Sequence, residues 1–290
     1  GDEAKERLVR VMGVHTGWPG LEEPFLNAPL AVAEGLSAPR ESFDAYAVSG
    51  YFGFDLGLEE EGLPAVRRSI AKSVARAKEG ARATGLQRRA LEKEIRDVKF
   101  DAAFREVAQM LSSGSFQELT ETLWPYHAAR AAELGMTLVM YEGGTHVTPH
   151  GAAIDDEELV AFFTAFNYTP EMGALYEALL RHWHALGGQM FNAFVDVAPP
   201  SKYGSWGALR HLQDDNPRWD ALMAANAVLG APARAPGTFL QGVTRIGGQG
   251  ADDLLGSPEE DVLIGGPGDD RMVSGGGADH FHGGTGFDRV

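Results

Sequence analysis

The last 44 residues of the chain, from Gly247 to Val290, divide at a nine-residue period without a gap: GGQGADDLL, GSPEEDVLI, GGPGDDRMV, SGGGADHFH and the shorter GGTGFDRV. Aspartate holds the sixth place each time, as Asp252, Asp261, Asp270, Asp279 and Asp288. A large apolar residue holds the eighth, as Leu254, Leu263, Met272, Phe281 and Val290. A flexible Gly/Asp linker has no reason to keep both in phase. Six glycine-rich residues make a turn whose backbone visits positive φ at little steric cost. The remaining three make a very short strand with one inward side chain. Two nonapeptides complete one coil, so turns two repeats apart stack on the same side. The segment carries nine Asp/Glu against two Arg, a net of −7, and 13 of the 37 glycines. Its carboxylates repel one another, and one apolar residue per strand makes a thin core.

The pattern GGxGxDxUx resembles the hemolysin-type calcium-binding (RTX) repeat. The resemblance implies a parallel β-roll whose stacked turns offer carboxylates and backbone carbonyls to a metal ion between them. Ca²⁺ takes six to eight oxygens at about 2.3–2.6 Å in flexible geometry, whereas Mg²⁺ demands a tight octahedron. The expected pairs are Asp252 with Asp270, Asp261 with Asp279, and Asp270 with Asp288, for up to three ions. Two repeats depart from the pattern: Ser257 and Glu259 replace glycines in the second, and Ser274 replaces one in the fourth. The site using Asp261 is therefore the least secure. Ca²⁺ neutralises the repulsion and ties the turns, so binding and folding are expected to be one event. The resemblance also implies an extracellular protein, exported by type I secretion from a Gram-negative bacterium. That route reads a C-terminal signal. None is visible, and the sequence stops inside its fifth repeat, which reads as a cut.

The upstream region has a different texture. The whole chain of 290 residues is 44% hydrophobic, enough for a sizeable core. Its formal net charge of −16 argues against nonspecific binding to nucleic acid or anionic membrane. Cysteine is absent, which removes disulfides and thiolate metal sites. No apolar run approaches the roughly 18 residues of a membrane span. Strand-like runs at 8–15, 44–52, 136–142 and 189–197 alternate with helical patterns near 64–83, 86–112, 116–134, 156–166, 171–186 and 217–229. The alternation predicts an α/β fold with a parallel sheet. Residues 65–99, with eleven Lys/Arg against four Asp/Glu, read as a solvated helical pair. The expected organisation is a partial (β/α)8-barrel-like region over 1–228, a linker over 229–246, and the repeat array over 247–290. The opening GDEAKERLVRV reads as the middle of a helix entering a strand, so the chain is expected to begin partway through a longer protein.

Polar and aromatic residues gather where the predicted strands end, which is where α/β proteins place their sites. His15 and Trp18 follow the first, Tyr51 ends the second, and Glu142 ends the third within YEGGTH. Asp196 ends the fourth, followed by Tyr203 and Trp206 in SKYGSWG. This arrangement resembles the later half of the (β/α)8 retaining glycosidases. The resemblance implies that Glu142 is the nucleophile, with Tyr51 and His15 holding it, and that the faces of Trp206, Trp18 and Tyr203 pack against a polysaccharide. A retaining enzyme needs a second carboxyl about 5–5.5 Å away. In that clan it follows an Asn, and no Asn-Glu pair occurs in this sequence. The expected acid/base therefore lies in a missing N-terminal half, and this chain alone is expected to be inactive. The alternatives are a noncatalytic glycan-binding or adhesion module, and a wholly structural role. No HExxH, GxSxG or phosphate-binding glycine loop is present, which removes the usual zinc protease, lipase and nucleotide-binding readings. His146 and His150 are separated by Thr148 and Pro149, which break a helix, so they are not expected to share a helical face. His280 and His282 are expected to face outward.

Overall fold

The structure, a computed structural model, describes residues 8–229 and 242–290. The chain forms two compact units, Gly1–Leu229 and Gly230–Val290.

The first unit holds four parallel strands, β1 (Val11–Gly13), β2 (Ala45–Phe52), β3 (Thr137–Thr145) and β4 (Met190–Ala193), in the order β1-β2-β3-β4. Each strand adds beside its predecessor, as the alternating pattern predicts. Among the described residues the sheet is open and no barrel closes. Met12, Tyr46, Val48, Leu138 and Met140 are buried with the apolar sides of the helices. The densest part of that core is aromatic: Phe162 stacks on Phe104 and Phe166, with centroids 5.3 and 6.1 Å away.

Two of the predicted helical stretches are subdivided, each for a local reason. Residues 86–112 form Arg88–Val98 and Asp101–Ser112, and the break lets Phe100 turn inward to meet Phe162 at 5.2 Å. Residues 116–134 run through a π turn at Leu119–Leu123. Pro125 has no N–H to return to the preceding turn, so the hydrogen-bond ladder loosens there. The fourth strand stops at Ala193 instead of reaching 197. Beyond it the chain pairs with a returning loop, Val195 N donating to Trp206 O at 3.0 Å and Ala208 N to Val195 O at 2.7 Å. The short helices Glu23–Asn27 and Pro29–Ala33 carry too few turns to show a periodicity in the sequence.

The second unit is a coil of short parallel strands. One sheet contains β5 (Thr244–Ile246), β7 (Val262–Pro267) and β9 (His280–Thr285); the other contains β6 (Asp253–Leu255) and β8 (Arg271–Val273), and is continued by Arg289 beside Arg271. Thr244 faces Val262, Asp253 faces Arg271 and Val262 faces His280, a constant offset of 18 residues, two repeats per coil. Leu254, Leu263 and Met272 form the core, with Phe281 packed against it. Val290 is instead 77% exposed. The stretch read as a linker ends in β5, which pairs with β7 and so belongs to the coil; its residues 230–241 lie outside the described part.

Candidate functional site

The turns of the coil place five aspartates at equivalent positions, and among the described residues the carboxylates of Asp261, Asp270, Asp279 and Asp288 tie neighbouring coils. Asp270 Oδ1 accepts from Asp252 N at 2.8 Å, Asp279 Oδ1 from Asp261 N at 2.9 Å, and Asp288 Oδ1 from Asp270 N at 3.1 Å. Asp261 Oδ1 accepts from Val243 N at 2.6 Å in the same way. The second oxygen turns toward the first residue of its own repeat. A Cβ built on Gly265 would lie 2.3 Å from Asp270 Oδ2 and 2.5 Å from Gly283 O, so glycine is required there for space. At Gly268, φ is +139° and a Cβ would meet Gly250 O at 2.5 Å, so conformation and space both exclude a side chain.

These distances describe a small cradle of oxygens. Asp270 is 1% exposed, and its Oδ2 is buried with no hydrogen-bond partner among the described residues. A buried carboxylate oxygen without a donor is costly unless a cation satisfies it. Among the described residues no three His, Cys, Asp or Glu side chains converge on a point. A metal held here would therefore rest on carboxylates plus backbone carbonyls, the all-oxygen set that suits a hard cation such as Ca²⁺. The predicted pairs Asp252–Asp270, Asp261–Asp279 and Asp270–Asp288 are the ones the coil brings into register. In the second repeat Ser257 donates both its N–H, at 2.6 Å, and its hydroxyl, at 2.8 Å, to Asp261. Burial acts to raise the Asp261 pKa, but the donors from Val243 and Ser257 outweigh it and hold the carboxyl below its usual range.

The strand ends of the first unit carry a second group. The parallel register sets Ser49 beside Glu142 and Tyr51 beside Gly144. Burial first, and then the Glu142 carboxylate, pushes the Tyr51 phenol above its ordinary pKa, so these two predicted residues are neighbours. The Tyr51 ring lies 6.3 Å from Trp206 and 6.5 Å from Phe194, in edge-to-face geometry. His146 completes the cluster, 4.9 Å from Trp206, 5.7 Å from Tyr51 and 5.0 Å from Phe54. Glu142, Tyr51 and Trp206 thus come together as expected. His15 does not join them: among the described residues its ring meets only Trp18, at 6.4 Å, where both are exposed. Tyr203 is also exposed, beside Lys202, and Asp196 lies past the end of β4.

His146 and His150 share no helix, but they sit on an extended segment and their rings are 5.5 Å apart. Burial, followed by the neighbouring His150, lowers the His146 pKa to about 4, so its imidazole is neutral. Burial also lowers that of His150. The usable signal was their position, directly after the strand end that carries Glu142. A buried hydrogen-bonded pair with no sequence signature lies at the start of β2. Tyr46 Oη bonds His127 Nδ1 at 2.8 Å, and His127 Nε2 bonds the carbonyl of Thr16 at 2.9 Å. A carbonyl only accepts, so Nε2 carries the proton and Nδ1 accepts from the phenol.

No helix among the described residues is long and apolar enough to cross a membrane. Comparison of the chain with curated proteins and with solved structures gave no match. Residues 246–281 and 255–290 each match the family model described as the RTX calcium-binding nonapeptide repeat (4 copies). With its 18-residue coil and its phased aspartates, the segment 246–290 is an array of RTX calcium-binding nonapeptide repeats.

Proposed function

We propose that the chain is an extracellular calcium-dependent protein whose C-terminal coil folds on the ion after type I export. The buried, unpartnered Asp270 Oδ2 facing a backbone carbonyl carries this reading. Asp252, Asp261, Asp270, Asp279 and Asp288 are the candidate ligands, together with carbonyls of the stacked turns. Bound calcium would supply the positive charge that offsets a local net of −7. At low calcium the acidic, glycine-rich segment stays loose, and at extracellular calcium it closes into the coil. Calorimetric titration of the full chain, with chelator as control, tests this. Saturable calcium uptake accompanied by a gain of β signal is expected; a spectrum indifferent to chelator counts against it.

A second reading concerns the first unit and rests on Tyr51, Glu142, His146 and Trp206 meeting at the strand ends. We infer a carbohydrate site there, part of a retaining glycoside hydrolase in which Glu142 attacks and Tyr51 orients it. The aromatic faces of Trp206 and Phe194 suit the apolar faces of a sugar ring. The acid/base carboxyl and the remaining strands of a barrel would come from outside these residues. A noncatalytic glycan-binding module is the alternative. Binding of β-linked glucans and mannans to the chain, and hydrolysis by a form supplied with the rest of the barrel, separate the two. Glu142→Gln abolishes hydrolysis and spares binding if the enzyme reading holds.

A further inference from the structure

The coil has two rows of turns, and they differ in what satisfies their carboxylates. One row contains Asp252, Asp270 and Asp288; the other contains Asp261 and Asp279. We propose that calcium enters only the first row, as two ions between Asp252 and Asp270 and between Asp270 and Asp288, while serine hydroxyls hold the second row without metal. This rests on the calcium reading above and narrows it from three sites to two.

Hydrogen bonding separates the rows first. Asp261 accepts from Val243 N at 2.6 Å and Ser257 Oγ at 2.8 Å on Oδ1, and from Ser257 N at 2.6 Å on Oδ2. Asp279 accepts from Asp261 N on Oδ1, and the Ser274 hydroxyl donates to its Oδ2. In the first row, among the described residues, Asp252 Oδ2 accepts one bond, from Gly248 N at 2.6 Å, and Asp270 Oδ2 accepts none although it is buried. The lining atoms separate them next. The position a Cβ would take on Gly247 lies 2.6 Å from Asp252 Oδ2 and 2.1 Å from Gly265 O, and that on Gly265 lies 2.3 Å from Asp270 Oδ2 and 2.5 Å from Gly283 O. The equivalent position on Gly256 lies 2.4 Å from Asp261 Oδ2, then 3.2 Å from Val273 O and 3.3 Å from the amide nitrogen of Gly275. The second oxygen lies farther off there, and an amide nitrogen offers a cation no lone pair. Finally, the first place of the repeat is glycine in all three turns of the first row, at Gly247, Gly265 and Gly283, but Ser274 fills it in the second.

The test is the number of calcium ions bound by the full chain, read by native mass spectrometry beside calorimetry. The wild-type chain is expected to take two. Asp279→Asn keeps two, whereas Asp270→Asn loses both, because Asp270 borders both gaps. Ser257→Gly combined with Ser274→Gly frees the second row and raises the number to three, a gain that cannot come from misfolding. Three ions on the wild-type chain, or the loss of one on Asp279→Asn, overturns the one-sided assignment and leaves the calcium reading standing. No uptake by the wild-type chain overturns both.

Discussion

Truncating Leu263 to alanine measures how tightly folding of the coil is coupled to its ions. Leu263 is fully buried, at 0% exposure, in a core that otherwise contains Leu254 and Met272 with Phe281 against them. Leu→Ala at such a site costs about 2–5 kcal/mol, and with so few neighbours little repacking can fill the gap. If two ions bind only the folded coil, each tenfold rise in free calcium returns about 1.4 kcal/mol per ion, or roughly 2.8 kcal/mol in all. The calcium midpoint of folding should therefore rise roughly five- to sixtyfold, about tenfold for a cost near 3 kcal/mol. Hydrogen exchange of peptides from 242–290 in the full chain, across buffered calcium, reads the midpoint directly. Leu179→Ala, buried in the first unit, is the control and should leave that midpoint in place. A midpoint unmoved by Leu263→Ala, with exchange still slowed at saturating calcium, would refute the coupling.

Other perturbations probe particular contacts. Gly265→Ala should cost at least tenfold in calcium affinity because its Cβ meets Asp270 Oδ2 and Gly283 O, whereas Gly250→Ala, with nothing within 4 Å, should cost little; calorimetry compares them. Tyr46→Phe strips the donor from the buried Nδ1 of His127, at a cost of about 1–3 kcal/mol, and thermal melting of the first unit should drop by roughly 2–4 °C per kcal/mol. His146 titrates near 4 in the fold but near 6.5 in an open chain, so below 6.5 the unfolded state takes up a proton that the native imidazole refuses. Stability is accordingly full above pH 6.5 and declines as pH falls toward 4, and His146→Gln should make that decline shallower in denaturant titrations.

The coil was legible because its period is strict: Asp252 to Asp288 and Leu254 to Phe281 follow from counting. What counting missed depends on neighbours two repeats away. The carboxylate bonds to Asp252 N, Asp261 N and Asp270 N, and the serine donors on Asp261 and Asp279, cross from coil to coil or fold back within a turn. Upstream, the strands and long helices were readable from alternation and 3.6-residue periodicity. The strand-end cluster was half readable. Glu142, Tyr51 and Trp206 announced themselves as polar or aromatic residues at strand ends. His146 entered through a loop whose path no periodicity encodes, and His15 fell away to the surface because β1 ends at Gly13 and the chain turns outward to Trp18.

Among the described residues the sixth-place aspartate ties between coils run one way, whereas the neighbouring Asp269 Oδ1 accepts from Phe287 N in the other direction. Asp261, Asp270, Asp279 and Asp288 each reach back to a backbone N–H 18 residues nearer the N-terminus. The array is consequently polar, like a zip with its slider at the C-terminal end. Shaving off the final turn orphans the amide of Asp270 and loosens the coil behind it. Shortening the array from its other end takes no sixth-place carboxylate from a remaining amide, only acceptors such as Asp252 O, which accepts from Arg271 N, and Asp269 Oδ1, which accepts from Phe287 N.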